Sequence, residues 1–305
     1  MITTGIKMNI LSLFDGMSCG QIALNRIGVK PVKYYASELD KCAITVTQAN
    51  YPDTIQLGDV TKWREWHIDW ASIDLLIGGS PCQNFSVARS SHASAEIRSR
   101  SGLDGTKSGL FYHYLDILNH LKQVNPHIKF LLENVKMKKQ SFLELNEFLE
   151  VKGEHINSAL VSFQSRPRIY WTNIIYDLLE DKKISFQRYK QPENIVNSEC
   201  LVNPTPSRRR MWNNGDGRTE LFACNNITTK EKIGCLTTKQ DRCPNSGLIK
   251  HGNFCRFLSR TEMEQAQTVP VGYTQLVSYN QCQKLLGNGW TVDVIAHIFK
   301  KLTRG

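Results

Sequence analysis

Met8-Asn-Ile-Leu-Ser-Leu-Phe14-Asp15-Gly16-Met-Ser18-Cys-Gly20 is the stretch that decides the fold. An apolar run reaches Phe14, two glycines follow, and Ile22, Leu24 and Ile27 then form a helical pattern that ends at Gly28. The segment reads as strand, glycine turn and helix, an arrangement in which the backbone can approach a ligand closely and aim free N–H groups at it. A dinucleotide-binding loop asks for G-x-G-x-x-G, and the presence of Gly16 and Gly20 alone weakens a nicotinamide or flavin reading.

Further strands follow, several with a polar residue at the tip. Val32 to Ser37 is followed by Glu38, placed to accept from ribose hydroxyls, and Thr54 to Leu57 by Gly58-Asp59-Val60, where Asp59 could accept from an exocyclic amine. Carboxylates at successive strand ends after a glycine turn suit an adenosine. Ile73 to Ile77 is short, rich in branched residues and stopped by glycines, so it predicts a buried parallel strand that delivers Ser80-Pro81-Cys82 to the carboxyl edge of a sheet. Lys129 to Val135 predicts another strand, with Glu133 at its tip on the same edge. In Gln164-Ser-Arg166-Pro-Arg168-Ile-Tyr-Trp-Thr-Asn173, strand alternation would put Arg166 and Arg168 on one face, which favours an anionic or carbonyl-rich ligand.

Taken in order, Phe14-Asp15-Gly16 to Gly20, Glu38, Gly58-Asp59-Val60, Ser80-Pro81-Cys82-Gln83, Glu133-Asn134-Val135, Gln164-x-Arg166-x-Arg168 and Gly287-Asn288-Gly289 resemble the cytosine-C5 DNA methyltransferases. The resemblance spans nearly the whole chain apart from roughly residues 176 to 255. It implies an α/β fold: a Rossmann-like S-adenosylmethionine-dependent methyltransferase, with a mixed sheet, helices on both faces and a small loop-rich target-recognition lobe. The implied methyl donor is S-adenosyl-L-methionine, held by Phe14, Asp15, Gly16, Ser18, Gly20, Glu38, Leu39, Asp59, Val60, Pro81, Asn288, Gly289 and Trp290. Cys82 is the implied nucleophile, Glu133 the acid facing the base, and Arg166 and Arg168 surround the target cytosine with Gln83, Ser86 and Gln164. Bacterial members usually follow the late Gly-Asn with Ser or Ala. Here Gly289-Trp290 is more similar to the animal de novo branch, as are the glycine turn and Arg168 to Asn173.

The chemistry accounts for the residue types. Carbon 5 of cytosine is a poor nucleophile, so a thiolate adds at carbon 6 and turns the ring into an enamine. Arg166 could favour the thiolate of Cys82, a carboxyl at Glu133 could neutralise ring N3, and Arg168 could hold the base's O2. Attack comes from above the ring, which requires a flipped-out nucleotide. The Ser-, Gly- and Arg-rich stretch from Phe85 to Lys107 is longer than ordinary connections and is expected to be a mobile loop closing over DNA, with hinges near Gly102 and Gly105.

The 305 residues carry a formal charge of +10, and 41% are hydrophobic, enough for a full core and suited to a nucleic-acid partner. Residues 201 to 260 hold eleven Lys or Arg against four Asp or Glu, so most of the excess sits in one segment. Double-stranded DNA is the expected partner, with Arg208, Arg209, Arg210, Arg218 and Arg242 neutralising phosphates or reading base edges. Nine cysteines without a C-x-x-C pair indicate neither a disulfide framework nor a metal site, which suits a reducing cytoplasm. No run approaches the length of a membrane span.

The expected organisation is a catalytic and cofactor-binding domain over 1–175, a target-recognition lobe over 176–258, and C-terminal helices over 259–305 that complete the catalytic domain. Ser259-Arg-Thr-Glu262 is a capping-box pattern, Ser278 to Leu286 predicts a helix stopped by Gly287, and Val292 to Leu302 predicts the last one. The resemblance implies a monomer and leaves room for a cognate restriction endonuclease. The alternatives are a tRNA cytosine-C5 methyltransferase, against which the basic insert argues, and a non-catalytic DNA-binding relative, against which the intact motifs argue.

Overall fold

A computed structural model describes residues 7–80, 109–213, 225–239 and 243–303. The chain divides into two compact units. Met1–Ile156, Pro167–Asp177 and Ala296–Gly305 form the first, and Asn157–Arg166 with Leu178–Ile295 the second.

The first unit is built on β1 (Asn9–Leu13), β2 (Lys33–Ser37), β3 (Ile55–Gln56), β4 (Leu75–Gly78), β5 (Lys129–Val135), β6 (Glu154–Asn157) and β7 (Pro167–Thr172). They form one seven-stranded sheet in the order β3-β2-β1-β4-β5-β7-β6. The pairs from β3 to β5 are parallel, whereas β5 and β7 are antiparallel, with Glu133 opposite Tyr170 and Val135 opposite Arg168. Strand order reverses between β1 and β4. In open α/β sheets the crevice outside the carboxyl ends at such a switch point is where ligands bind.

Helices cover both faces of the sheet, which explains why Leu75, Leu76 and Ile77 are fully buried regardless of the side they face. On one face, α1 (Cys19–Arg26) packs so closely that a Cβ on Gly20 would lie 2.4 Å from Ile77 Cδ1. α2 (Lys41–Asn50) starts at Asp40, whose carboxylate accepts from the Cys42 and Ala43 amides at 2.9 and 3.4 Å. On the other face, α3 (Gly109–Val124) buries Phe111, Tyr114, Leu118 and Leu121 against Leu11, Leu13, Leu76, Phe130 and Leu132. Truncating one of these to alanine costs about 2–5 kcal/mol. α4 (Lys139–Leu149) buries Leu145 and Leu149.

The second unit has its own core, in which Val202, Met211, Leu248 and Cys255 pack with Trp212, Phe254 and Phe257. Its hairpin, β8 (Ile249–His251) and β9 (Phe254–Arg256), turns at Gly252 with φ +52°. The basic run expected in a loop is helical instead, as α5 (Pro206–Asn213). Thr205 precedes it and accepts from the Arg208 amide at 3.4 Å, while Pro206 occupies the first helical position, where a missing N–H costs nothing. α6 (Arg260–Ala266) begins with the expected capping box. Glu262 in that box also accepts from both terminal nitrogens of Arg256, at 2.7 and 2.8 Å, in an ion pair at most 1% exposed.

α7 runs Tyr279–Asn288, so Gly287 lies inside the helix and does not stop it. A Cβ there would sit 2.5 Å from the Thr237 backbone, so close approach explains the glycine. The last helix, α8, is Val292–Phe299, followed by a short 3-10 turn over Lys300–Thr303. The second unit keeps 259–295 with 157–166 and 178–258, joined by hydrogen bonds such as Gln191 N–H to Glu262 Oε1 (2.7 Å) and Gln164 to Ala266 O (3.1 Å). This division differs from boundaries at 175 and 258.

Candidate active site

Leu13 at the end of β1 lies opposite Gly78 at the end of β4, so the glycine turn and Ser80 emerge side by side at the switch point. The turn alternates left-handed residues, with φ of 57° at Phe14, 59° at Gly16 and 59° at Ser18. Side chains in that region cost of order 1–3 kcal/mol each and cluster at ligand sites. A Cβ on Gly16 would meet nothing within 4 Å, so the backbone there faces open space. Gly20 is required by packing, since its Cβ would also lie 2.9 Å from the Tyr34 hydroxyl.

Asp15 points into a polar network and not outward. Its carboxylate accepts from the Tyr34 hydroxyl at 2.7 Å and from the Ser18 hydroxyl. Gln21 extends the network by donating to Ser18 and Thr54 at 3.2 and 2.8 Å. Burial pushes the Asp15 carboxyl up to about 6, against the lowering effect of these hydrogen bonds, and the nearby Glu38 carboxylate adds to the rise.

Glu38 binds the turn itself. One oxygen accepts from the Gly16 amide at 2.8 Å and the other from the Leu39 and Asp40 amides at 2.7 and 2.8 Å. Leu39 is 67% exposed, whereas Val60 is buried. Asp59 caps the 3-10 helix Val60–Glu65, accepting from the Thr61 amide and hydroxyl, each at 2.9 Å; the Thr61 backbone bond leads the causes that hold its carboxyl below the usual range. The three carboxylates thus stand at the ends of β1, β2 and β3.

At the end of β5, Glu133 and Arg168 are diagonal neighbours on one face of the β5–β7 pair, and Arg168 Nε lies 3.0 Å from Glu133 Oε1. Beside them, Asn134 donates to the Ser80 hydroxyl at 2.9 Å and to its carbonyl at 3.4 Å, fixing the tip of β4 two residues before Cys82. Asn134, Ser80 and Tyr34 are site residues that motif reading passed over. The only hint is that Asn134 and Ser80 fall inside motifs read for their neighbours. Gly78 faces the ring of Tyr114, which a Cβ would approach to 2.9 Å.

Pro81, Cys82, Gln83, Ser86, the expected loop from Phe85 to Lys107, Arg218 and Arg242 lie outside the described residues. The expected pairing of Arg166 with Arg168 on one strand face does not occur, because β7 begins at Pro167 and Arg166 precedes it. Arg166 is 3% exposed within the second unit. Its guanidinium donates to Leu236 O at 3.0 Å and to Gly287 O and Gly289 O at 2.9 Å each, with Cys235 Sγ at 3.2 Å. Gln164 is fully buried beside it, donating to Ala266 O and Gln267 Oε1 and accepting from the Leu236 amide at 2.7 Å. Asn288 is exposed and Gly289 and Trp290 are half-buried. On α5, Arg209 and Arg210 are exposed and Arg208 partly so, with the Arg209 guanidinium 5.3 Å from the centre of the Phe254 ring.

Among the described residues no His, Cys, Asp and Glu group could hold a metal ion, and no helix is long and apolar enough to cross a membrane. The described cysteines are all free thiols, and burial pushes Cys200 and Cys282 up to about 11, which leaves both unreactive. A cavity of about 780 Å³ is lined by Gln21, Asn25, Lys30, Tyr34, Tyr51 and Asp53, and so shares Gln21 and Tyr34 with the Asp15 network.

A parallel sheet with a strand-order reversal, a glycine turn on one side of that reversal and an antiparallel β7 defines the Rossmann-like methyltransferase class. Residues 8–154 match the family model of the C-5 cytosine-specific DNA methylases. It is 34% identical to the orphan methyltransferase M.Rho11sI of Bacillus phage rho11s over 57% of this chain and 34% of that protein. It is 26% identical to the type II methyltransferase M1.ScrFI of Lactococcus lactis subsp. cremoris over 97% of this chain and 78% of that one. The chain therefore spans about a third of the length of the phage relative. The fold is similar to that of the Entamoeba histolytica methyltransferase EhMeth, with a TM-score of 0.68 and 15% identity over 97% of this chain and 99% of that one. A Spodoptera frugiperda DNMT2 matches at a TM-score of 0.66 and 18% identity, with the same coverage.

Proposed function

We propose that this protein transfers a methyl group to carbon 5 of a flipped-out cytosine in double-stranded DNA, through a covalent adduct on Cys82. The observation that carries the reading is the convergence, at one switch point, of the open Gly16 turn, the carboxylates of β2 and β3, the anchored Ser80 and the Glu133–Arg168 pair.

S-adenosyl-L-methionine, when bound, supplies the methyl group. The residues present fit it: Gly16 leaves backbone space, Glu38 and Asp59 stand at strand ends as acceptors for ribose and adenine, and Asp15 is withdrawn into its own network. Phe14, Ser18, Gly20, Leu39, Val60 and Pro81 would complete the pocket; the motif resemblance proposes Asn288, Gly289 and Trp290 as further cofactor-binding residues. The Cys82 thiolate adds to carbon 6, electron density moves toward N3, and Glu133, once it has taken a proton from solvent, donates it there while Arg168 neutralises charge around the base. Once carbon 5 is methylated, loss of its proton eliminates Cys82. Gln83 and Ser86 would line the cytosine site. The exposed arginines of α5, with Arg218 and Arg242, would meet DNA phosphates or base edges. The family match supports DNA as the substrate, and the type II relative favours a restriction endonuclease as a partner, whereas the phage relative is an orphan enzyme. A monomer acting in the cytoplasm completes the reading.

The test is a duplex carrying 5-fluorocytosine, in which carbon 5 has no proton to lose. The wild type should form an adduct that survives denaturing electrophoresis when S-adenosylmethionine is present, and Cys82→Ser should not. An adduct with Cys82→Ser, or none with the wild type on any fluorinated target, refutes the assignment. Methylation of tRNA but not duplex DNA would move the substrate to RNA.

A further inference from the structure

The last four carbonyls of a helix have no partner inside it. In α7, Leu285 O accepts from the Gly289 amide at 2.8 Å, Leu286 O from Gln267 at 2.5 Å, and Gly287 O from Arg166 at 2.9 Å. The same Arg166 nitrogen reaches Gly289 O, one residue past the helix. A guanidinium at a helix carboxyl end is also favoured by the helix dipole. Its other terminal nitrogen is spent on Leu236 O and Cys235 Sγ, in a different segment of the second unit. Gln164, two residues earlier, grips the same two places: it accepts from the Leu236 amide and bonds Gln267, which in turn donates to Leu286 O and Gly289 O. The joint is tight, as the missing Cβ of Gly287 would meet Thr237 at 2.5 Å.

From this geometry we infer that Arg166 is a positioning residue and not a ligand of the target base. It caps α7 and locks the Gly287–Trp290 turn to the Cys235–Thr237 segment, so that the shape of the turn depends on that segment. The inference rests on the proposed reading of Asn288, Gly289 and Trp290 as cofactor-binding. Holding a base would need donors aimed at it, whereas both terminal nitrogens of Arg166 already donate to acceptors in the protein. Lysine keeps the charge but brings a single ammonium, which cannot span two segments in the manner of a planar fork.

The test compares Arg166→Lys with Gly287→Ala, which disturbs the joint from its other side and leaves Arg166 in place. Dissociation constants for S-adenosylhomocysteine are measured by calorimetry, and kcat and KM for S-adenosylmethionine on duplex DNA. Both variants should bind S-adenosylhomocysteine at least tenfold more weakly and show a similar rise in KM, while kcat at saturation falls less than threefold. A large fall in kcat for Arg166→Lys with unchanged binding would return Arg166 to the base and overturn the inference. So would normal binding by Gly287→Ala, which decides alone if Arg166→Lys does not fold. A wild type that binds S-adenosylhomocysteine but methylates neither DNA nor tRNA would refute the proposed reaction while leaving the binding comparison valid. A wild type that does not bind it removes the cofactor reading and this inference together.

Discussion

Arg168 Nε stands 3.0 Å from Glu133 Oε1, with the two side chains only 13% and 11% exposed. The acid proposed to face the base is thus held by the arginine proposed to neutralise it. Removing one member of a buried pair leaves an uncompensated charge, while removing both does not. Glu133→Gln and Arg168→Met should each destabilise the protein by up to about 3–5 kcal/mol, with a coupling of about 0.5–3 kcal/mol in the double variant. Urea denaturation of the four proteins measures it, and strictly additive losses would mean that the pair contributes nothing.

Asp15 makes a pH prediction with a definite sign. Its folded carboxyl titrates at about 6, above the ordinary 3.8 of an unfolded chain, so the native state holds the proton more tightly. This contribution to stability is fully present below 3.8 and is lost as pH rises through about 6. Asp15→Asn keeps an acceptor for Tyr34 without a charge to desolvate. Its melting temperature should match the wild type near pH 4 and exceed it above pH 7; parallel curves across that range would count against a buried, proton-binding Asp15.

Glu38 and Asp59 should differ in cofactor binding. Each would lose about 1–3 kcal/mol on truncation if it makes a charge-assisted hydrogen bond to the nucleoside. Glu38→Ala also releases the Gly16 amide, and with it the turn, so it should weaken S-adenosylhomocysteine binding more than Asp59→Ala. Calorimetry showing equal or absent effects would remove the turn-holding role.

Neutralising Arg208, Arg209 and Arg210 together on α5 should weaken binding to all duplexes alike. The slope of log affinity against log salt should become shallower by up to about 0.9 for each phosphate that is no longer neutralised. If one of them reads a guanine edge, its single replacement should instead relax the methylated sequence at one position, by about 1–3 kcal/mol of discrimination. Unchanged slope and context would make α5 a solvated face.

Much of the sheet was legible because its strands are short apolar runs that end in glycine or a carboxylate, as at Asp15, Gly78 and Glu133. What escaped were relations between distant segments. Glu38 was legible as a strand-tip acid, but its bond to the Gly16 amide is not a property of either motif. Gly287 looked like a helix stop because its true constraint, the Thr237 backbone, lies fifty residues away in the chain. The α5 helix was missed because arginines mask any apolar period, although Thr205-Pro206 carried an amino-terminal signal. The shared face expected for Arg166 and Arg168 failed because alternation holds only within a strand, and the strand starts between them.

The antiparallel β7 has a consequence for synthesis. Ten of the thirteen residues proposed for the cofactor, and Cys82, precede residue 156, yet the partner that covers the outer edge of β5 ends at Thr172. A nascent chain that has emerged only as far as β5 presents a strand of seven residues, five of them buried in the finished sheet, with an unpaired edge. Such an edge invites pairing with another chain. Ribosomal pausing or truncation between about 135 and 172 should therefore yield aggregates rather than a soluble half-enzyme, and the vulnerability ends only when the arginine-bearing strand arrives to close the sheet.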